Sequence, residues 1–275
     1  MTMQPSGATV GDTTQPVRPD RPSLPGFLDL PERTEKPRDH GVCHVLDGGL
    51  SVAEVEQRLA AAGPYVDIWK FGWGTAYVDP AVVDKVELLR EHGVKACTGG
   101  TLLEIAWRKG AAHRLMEWAD EVGFECMEVS CGSVPISRDV KSLMIQTVAK
   151  TFTVLAEVGS KDASAEVDPK QWAADAAADR DAGAHWVVTE GRQSGTVGLF
   201  NADGSVRSWV ADAVVAAVGV ETVLFEAPQR AQQAWLINHF GANVNLGNID
   251  PAEVLGVECL RLGLRSDTIR PDAGP

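Results

Sequence analysis

The sequence predicts an α/β fold, a single-domain (β/α)₈ barrel of the TIM type. Short β-branched, apolar runs alternate with helically periodic segments eight times, roughly one pair every 20 to 35 residues. The apolar runs stay apolar until their ends and then turn charged, as strands buried on both faces do when their C-terminal ends build a site. The 275 residues also match the length such a barrel takes. A doubly wound open sheet shares the alternation, but no GxGxxG follows the first strand to mark its dinucleotide-binding form.

The first strand is expected over residues 42–46, ending in Asp47-Gly48-Gly49. Ser51 with Glu54 three residues on forms a capping box leading into helix 55–62. Strand two, 65–71, ends at Lys70 and Gly72-Trp73-Gly74, and helix 81–92 follows with Val82, Val83, Val86, Leu88 and Leu89 as its apolar side. Strand three, 94–97, runs into Thr98-Gly99-Gly100, ahead of helices 102–107 and 111–122. Strand four, 126–129, carries Glu128 and ends in Ser130-Cys131-Gly132, before helix 140–150. Strand five, 151–159, delivers Glu157, Gly159 and then Lys161. Helix 172–182 leads to strand six, 186–189, which ends at Glu190-Gly191-Arg192. Helix 209–218 leads to strand seven, 222–225, which ends at Glu226 and Gln229. Helix 231–240, strand eight (244–246, then Gly247-Asn248) and helix 251–264, with Pro251 in its first turn, complete the series.

Pro16, Pro19, Pro22 and Pro25 stand in a stretch without apolar periodicity, so residues 1–36 read as a flexible arm. The barrel then spans 37–268 and residues 269–275 form a tail. A net charge of −13 argues against nucleic acid, which needs a basic face, yet leaves room for small anions held in a local basic pocket. No apolar run reaches the roughly 18 residues a membrane span needs. Five cysteines without a CxxC pair argue against a disulfide framework or a zinc site and point to reduced thiols in the cytoplasm.

In a barrel, Asp47, Lys70, Glu128, Glu157, Lys161, Glu190, Arg192, Glu226 and Asn245 collect at one face. Carboxylates so crowded need a hard cation such as Mg²⁺, basic side chains, or both. That pattern points to an enzyme acting on an anionic substrate. The turns at Gly99-Gly100, Gly191 and Gly247 offer backbone N–H groups to an anion. Lys70 in the barrel wall is also the candidate for Schiff-base chemistry of the class I aldolase kind. His44 and His185 read as core or surface residues.

The blocks Lys70-Phe-Gly-Trp-Gly-Thr75, Gly99-Gly-Thr-Leu-Leu-Glu104, Gly123-Phe-Glu-Cys-Met-Glu-Val-Ser130, Glu157-Val-Gly-Ser-Lys161, Glu190-Gly-Arg-Gln-Ser-Gly195, Phe225-Glu-Ala-Pro-Gln229 and Val244-Asn-Leu-Gly-Asn-Ile249 resemble phosphosulfolactate synthase, in the family's order. The resemblance implies a (β/α)₈ lyase that adds sulfite to phosphoenolpyruvate, with Mg²⁺, to give (2R)-2-O-phospho-3-sulfolactate on the way to coenzyme M or sulfolactate. It implies Lys161 as proton donor, a second catalytic role for Lys70, and Glu157, Glu190 and Glu226 as metal ligands. Substrate contacts would come from Arg192, Gly99, Gly100, Gln229, Asn245, Gly247, Asn248 and Cys131. Homo-oligomers are expected, as barrels of this kind often assemble. This chain departs from the pattern at Gly48, where members carry Lys, at Cys131, where they carry Asp, and at Thr98, where they carry Pro. These departures leave open a different nucleophile added to an enol phosphate; a separate reading, a non-catalytic stress-associated relative, is opposed by the retained Glu157, Lys161, Glu190 and Arg192. Lys161→Ala separates catalysis from scaffolding. Turnover should fall roughly 100- to 10,000-fold, the share of a general acid, with the melting temperature unchanged; loss of folding would make Lys161 structural.

Overall fold

A computed structural model describes residues 25–160 and 166–269. Residues 1–24 of the expected arm, Lys161, and residues 270–275 of the expected tail lie outside the described residues. Eight parallel strands close in chain order: β1 (Cys43–Asp47), β2 (Ile68–Phe71), β3 (Lys95–Thr98), β4 (Cys126–Val129), β5 (Thr153–Val158), β6 (Trp186–Thr189), β7 (Val223–Glu226) and β8 (Asn245–Ile249). β1 pairs with both β2 and β8, so no sheet edge remains and the open-sheet alternative falls away.

Closure divides the apolar residues into two layers. Val42, Ile68, Cys97, Cys126, Leu155, Trp186, Val188 and Leu224 form their own cluster, while a larger cluster packs strands against the surrounding helices. Side chains alternate across a strand, so the residue two places on faces the same way. Two places beyond Ile68, Cys126, Leu155, Val188 and Leu224 stand Lys70, Glu128, Glu157, Glu190 and Glu226. The inner apolar layer therefore carries a ring of charge directly above it.

Local signals set the element limits. The Ser51–Glu54 capping box forms as expected at helix Val52–Ala62, with Glu54 accepting the Ser51 N–H at 2.8 Å. β2 begins later than expected, because Gly63-Pro64-Tyr65 forms a 3₁₀ turn. The last helix, Val254–Arg261, begins after Pro251, which lies in the preceding turn.

Buried polar side chains seal the base of the barrel. Arg261, 1% exposed, donates to the carbonyls of Ala242, Val244 and Val42. Arg33, within the expected arm, reaches the Glu258 carboxylate at 3.2 Å and the Gly41 carbonyl at 3.0 Å, which pins the chain there to the barrel base. Asn245 belongs to this end too. It opens β8 instead of closing it; its Oδ1 accepts the Val42 N–H, and its Nδ2 donates to the carbonyls of Glu221 and Val223. The expected substrate contact at Asn245 is thus corrected to a lock between β1, β7 and β8. Asn245→Ala strands the Val42 donor and should cost about 1–3 kcal/mol in urea unfolding, with activity per folded molecule retained; lost substrate affinity at full stability would contradict the assignment.

Candidate active site

The C-terminal strand ends open on a cavity of about 510 Å³. At its floor the Lys70 ammonium, 5% exposed, donates to Glu128 Oε2 at 2.8 Å and Glu226 Oε1 at 3.0 Å. Burial alone would lower the lysine pKa, but these two carboxylates overcome it and hold Lys70 well above its ordinary value. Held by these two carboxylates, Lys70 favours the ammonium form over the free amine that Schiff-base chemistry needs. Oxygens of Glu128, Glu157 and Glu226 lie within 4.8 Å of one another, an arrangement able to hold a metal ion.

The remaining oxygens of that cluster organise the loops. Glu128 Oε1 accepts the Gly100 N–H at 2.9 Å, and Glu226 Oε2 accepts the N–H groups of Gly191 (2.9 Å) and Arg192 (3.1 Å). The glycine turns expected to cradle a ligand anion thus bind the protein's own carboxylates at Gly100 and Gly191, while the Gly99 N–H bonds to the Phe71 carbonyl. A Cβ at Gly100 would fall 2.4 Å from Ser130 Oγ, so glycine is required for that approach. Beneath the β4 loop, the buried Glu104 carboxylate collects the Ser130 hydroxyl and the N–H groups of Gly132, Ser133 and Val134, setting Ser133 on the cavity wall. Asp47 likewise serves its own loop: it accepts from Gly49 N–H, Leu50 N–H and Trp69 Nε1, with Lys85 Nζ 3.6 Å away.

Three non-glycine residues among those described have left-handed backbones: Trp73 (φ 55°), Arg192 (φ 53°) and Asn248 (φ 53°). All three line this cavity. Such backbone costs on the order of 1–3 kcal/mol per residue and persists where the surroundings enforce it, most often at functional sites. Asn248 Oδ1 is buried without a hydrogen-bond partner among the described residues.

Of the residues the sequence singles out, the cavity gathers Lys70, Glu157, Glu190, Glu226, Arg192, Gly99, Gly100 and Asn248. Gln229 stands behind the wall, where its Nε2 donates to the Ser194 carbonyl at 2.7 Å. Gly247 is one step back in β8, its carbonyl taken by the Ala227 N–H. Cys131 lines a neighbouring hollow of about 350 Å³ that shares Glu157 as a wall, and burial raises its thiol pKa. Glu128, not Glu190, completes the close carboxylate cluster; its two-residue offset from Cys126 was the signal for it. Trp73, 48% exposed at the mouth, also escaped the sequence reading, although two flanking glycines marked its strained turn.

The family model for (2R)-phospho-3-sulfolactate synthase (ComA) matches residues 31–267. The chain belongs to that family. It is 36% identical over 244 residues to the phosphosulfolactate synthase of Bacillus subtilis, covering 88% of this chain and 97% of the relative. Identity to the phosphosulfolactate synthase of Methanocaldococcus jannaschii is 41% over 236 residues, 83% of this chain and 93% of the relative. Among solved structures, 3-hexulose-6-phosphate synthase from Salmonella typhimurium superposes with a TM-score of 0.54 over 80% of this chain and 98% of its own. At 13% identity that likeness concerns the barrel alone. Among the described residues no helix is long and apolar enough to cross a membrane.

Lys70→Met should destabilise the fold by about 3–5 kcal/mol, because it leaves buried carboxylates without their counter-ion. A variant as stable as wild type at pH 7, measured by urea unfolding, would contradict this account.

Proposed function

We propose that this chain adds sulfite to phosphoenolpyruvate to form (2R)-2-O-phospho-3-sulfolactate, with Mg²⁺ as its resident cation. The observation that carries the reading is the convergence of three buried carboxylates, an ammonium and Arg192 on one cavity of substrate size. An all-oxygen donor set suits a hard cation. Glu128, Glu157 and Glu226 would hold it, with Glu190 on the same wall. Once bound, such a cation supplies positive charge where negative charge develops on the substrate.

The chain's own residues account for the rest. Arg192, its N–H fixed by Glu190 and Glu226, presents a guanidinium at the cavity wall, suited to bidentate pairing with phosphate or carboxylate oxygens. Lys70 keeps the carboxylate cluster from repelling an anionic substrate and holds Glu128 and Glu226 in register. In the reaction the sulfite sulfur lone pair forms the bond to C3, and the double-bond electrons move toward C2 and the substrate carboxylate. A proton delivered to C2 completes the addition without a leaving group. Lys161, outside the described residues, is the proposed donor on sequence grounds. The same reading places the protein in the cytoplasm as a homo-oligomer, its cysteines free, as they are in the structure.

The test is phosphorus NMR of purified protein with phosphoenolpyruvate, sulfite and Mg²⁺, followed by mass spectrometry. A new phosphate ester with the mass of phosphosulfolactate is expected. Phosphoenolpyruvate bound but unconsumed would overturn sulfite as the nucleophile and favour another one. Cys131→Ser should retain turnover, since the thiol opens on the neighbouring hollow; its loss would bring Cys131 into the chemistry.

A further inference from the structure

His44 is wholly buried on β1, and nothing in the chemistry above uses it. It lies where the β1–β8 ladder breaks step. Cys43 pairs with Leu246 but Val45 pairs with Ile249, so two steps along β1 face three along β8. The extra residue makes a bulge, a device that bends a strand and re-aims a side chain. Asn248 lies within it, with φ at 53°. A bulge displaces a backbone N–H from the ladder, and a buried N–H needs an acceptor. The imidazole supplies one: the Asn248 N–H donates to His44 Nδ1 at 3.3 Å.

Closeness of fit supports the same conclusion. A Cβ at Gly247 would come within 3.2 Å of that nitrogen, so the ring packs directly against the bulge. Accepting at Nδ1 requires the neutral tautomer protonated at Nε2. Burial, and then the Lys70 charge, lower the His44 pKa to about 3, which keeps the ring neutral. His44 Nε2 has no hydrogen-bond partner among the described residues. An ordinary core position would favour an apolar side chain over a ring with an unsatisfied nitrogen. What the imidazole gives in return is the hold on Asn248, a residue of the cavity lining whose buried Oδ1 has no partner among the described residues.

We infer that His44 is a positioning residue that holds the β8 bulge and so aims the Asn248 amide at a polar group of the bound substrate. The inference rests on the proposed reading of the cavity as a phosphoenolpyruvate site. Asn248 touches the ligand in this account; His44 acts only through it.

Two measurements on the full chain test it. In His44→Leu, amide hydrogen exchange at Asn248, followed by NMR, should speed up about tenfold or more, and His44→Gln, which keeps an acceptor, should restore part of the protection. In His44→Leu the KM for phosphoenolpyruvate, with Mg²⁺ and sulfite present, should rise about tenfold while kcat and the melting temperature change little. The double variant with Asn248→Ala should bind no more weakly than Asn248→Ala alone. Unchanged exchange in His44→Leu would overturn the hold on the bulge. Faster exchange with unchanged KM, or fully additive losses, would overturn the positioning role. Should wild type neither bind nor consume phosphoenolpyruvate, the substrate reading fails, and exchange at Asn248 still decides whether His44 holds the bulge. If His44→Leu does not fold, exchange in His44→Gln and its coupling to Asn248→Ala decide in its place.

Discussion

The site depends on one buried ammonium shared between two carboxylates. Lys70 bonds to Glu128 and Glu226, and each of those acids uses its other oxygen to hold a loop: Gly100 for the first, Gly191 and Arg192 for the second. A charge removed from water is costly unless paired and hydrogen-bonded, and here every partner meets that condition through the next. The interaction spans the barrel, from β2 to β4 on one side and to β7 on the other. Positioning of the β3, β4, β6 and β7 termini is therefore coupled through a single nitrogen.

The two ends of the barrel solve the problem of buried polarity in opposite ways. At the base, Asn245, Arg33 and most of the Arg261 guanidinium are bonded to backbone or to Glu258, and the result is a rigid closure. At the mouth, left-handed backbones at Trp73, Arg192 and Asn248 remain, together with the Asn248 amide oxygen, which has no partner among the described residues. Among the described residues, backbone strain of this kind thus gathers at the mouth and not at the base, the distribution functional sites commonly show.

The barrel was legible because its strands are short, apolar and regularly spaced, and because the two-residue pleat carries charge to one face. Lys70, Glu157, Glu190, Glu226 and Arg192 follow from that pattern, and the cavity gathers them. Asn245 was misplaced because it was grouped with the residues at the C-terminal ends of the strands, whereas it is the first residue of β8, which runs on to Ile249. Glycine turns were read as open to ligand because sequence shows which N–H groups a turn exposes but not which carboxylate reaches them. His44 was read as a core or surface residue, since only the three-dimensional register reveals the bulge whose Asn248 N–H its ring accepts. Glu128 was visible in the sequence, but its place in the cluster in preference to Glu190 needed the curvature of the closed sheet.

In the proposed site Lys70 and a cation share the Glu128, Glu157 and Glu226 carboxylates at the barrel floor. Anomalous diffraction from crystals soaked with Mn²⁺ tests it most directly. The account predicts a single strong peak among those three side chains, with the Lys70 ammonium still bonded to Glu128 and Glu226. A peak centred elsewhere, or a Lys70 side chain driven away from both acids, would contradict it.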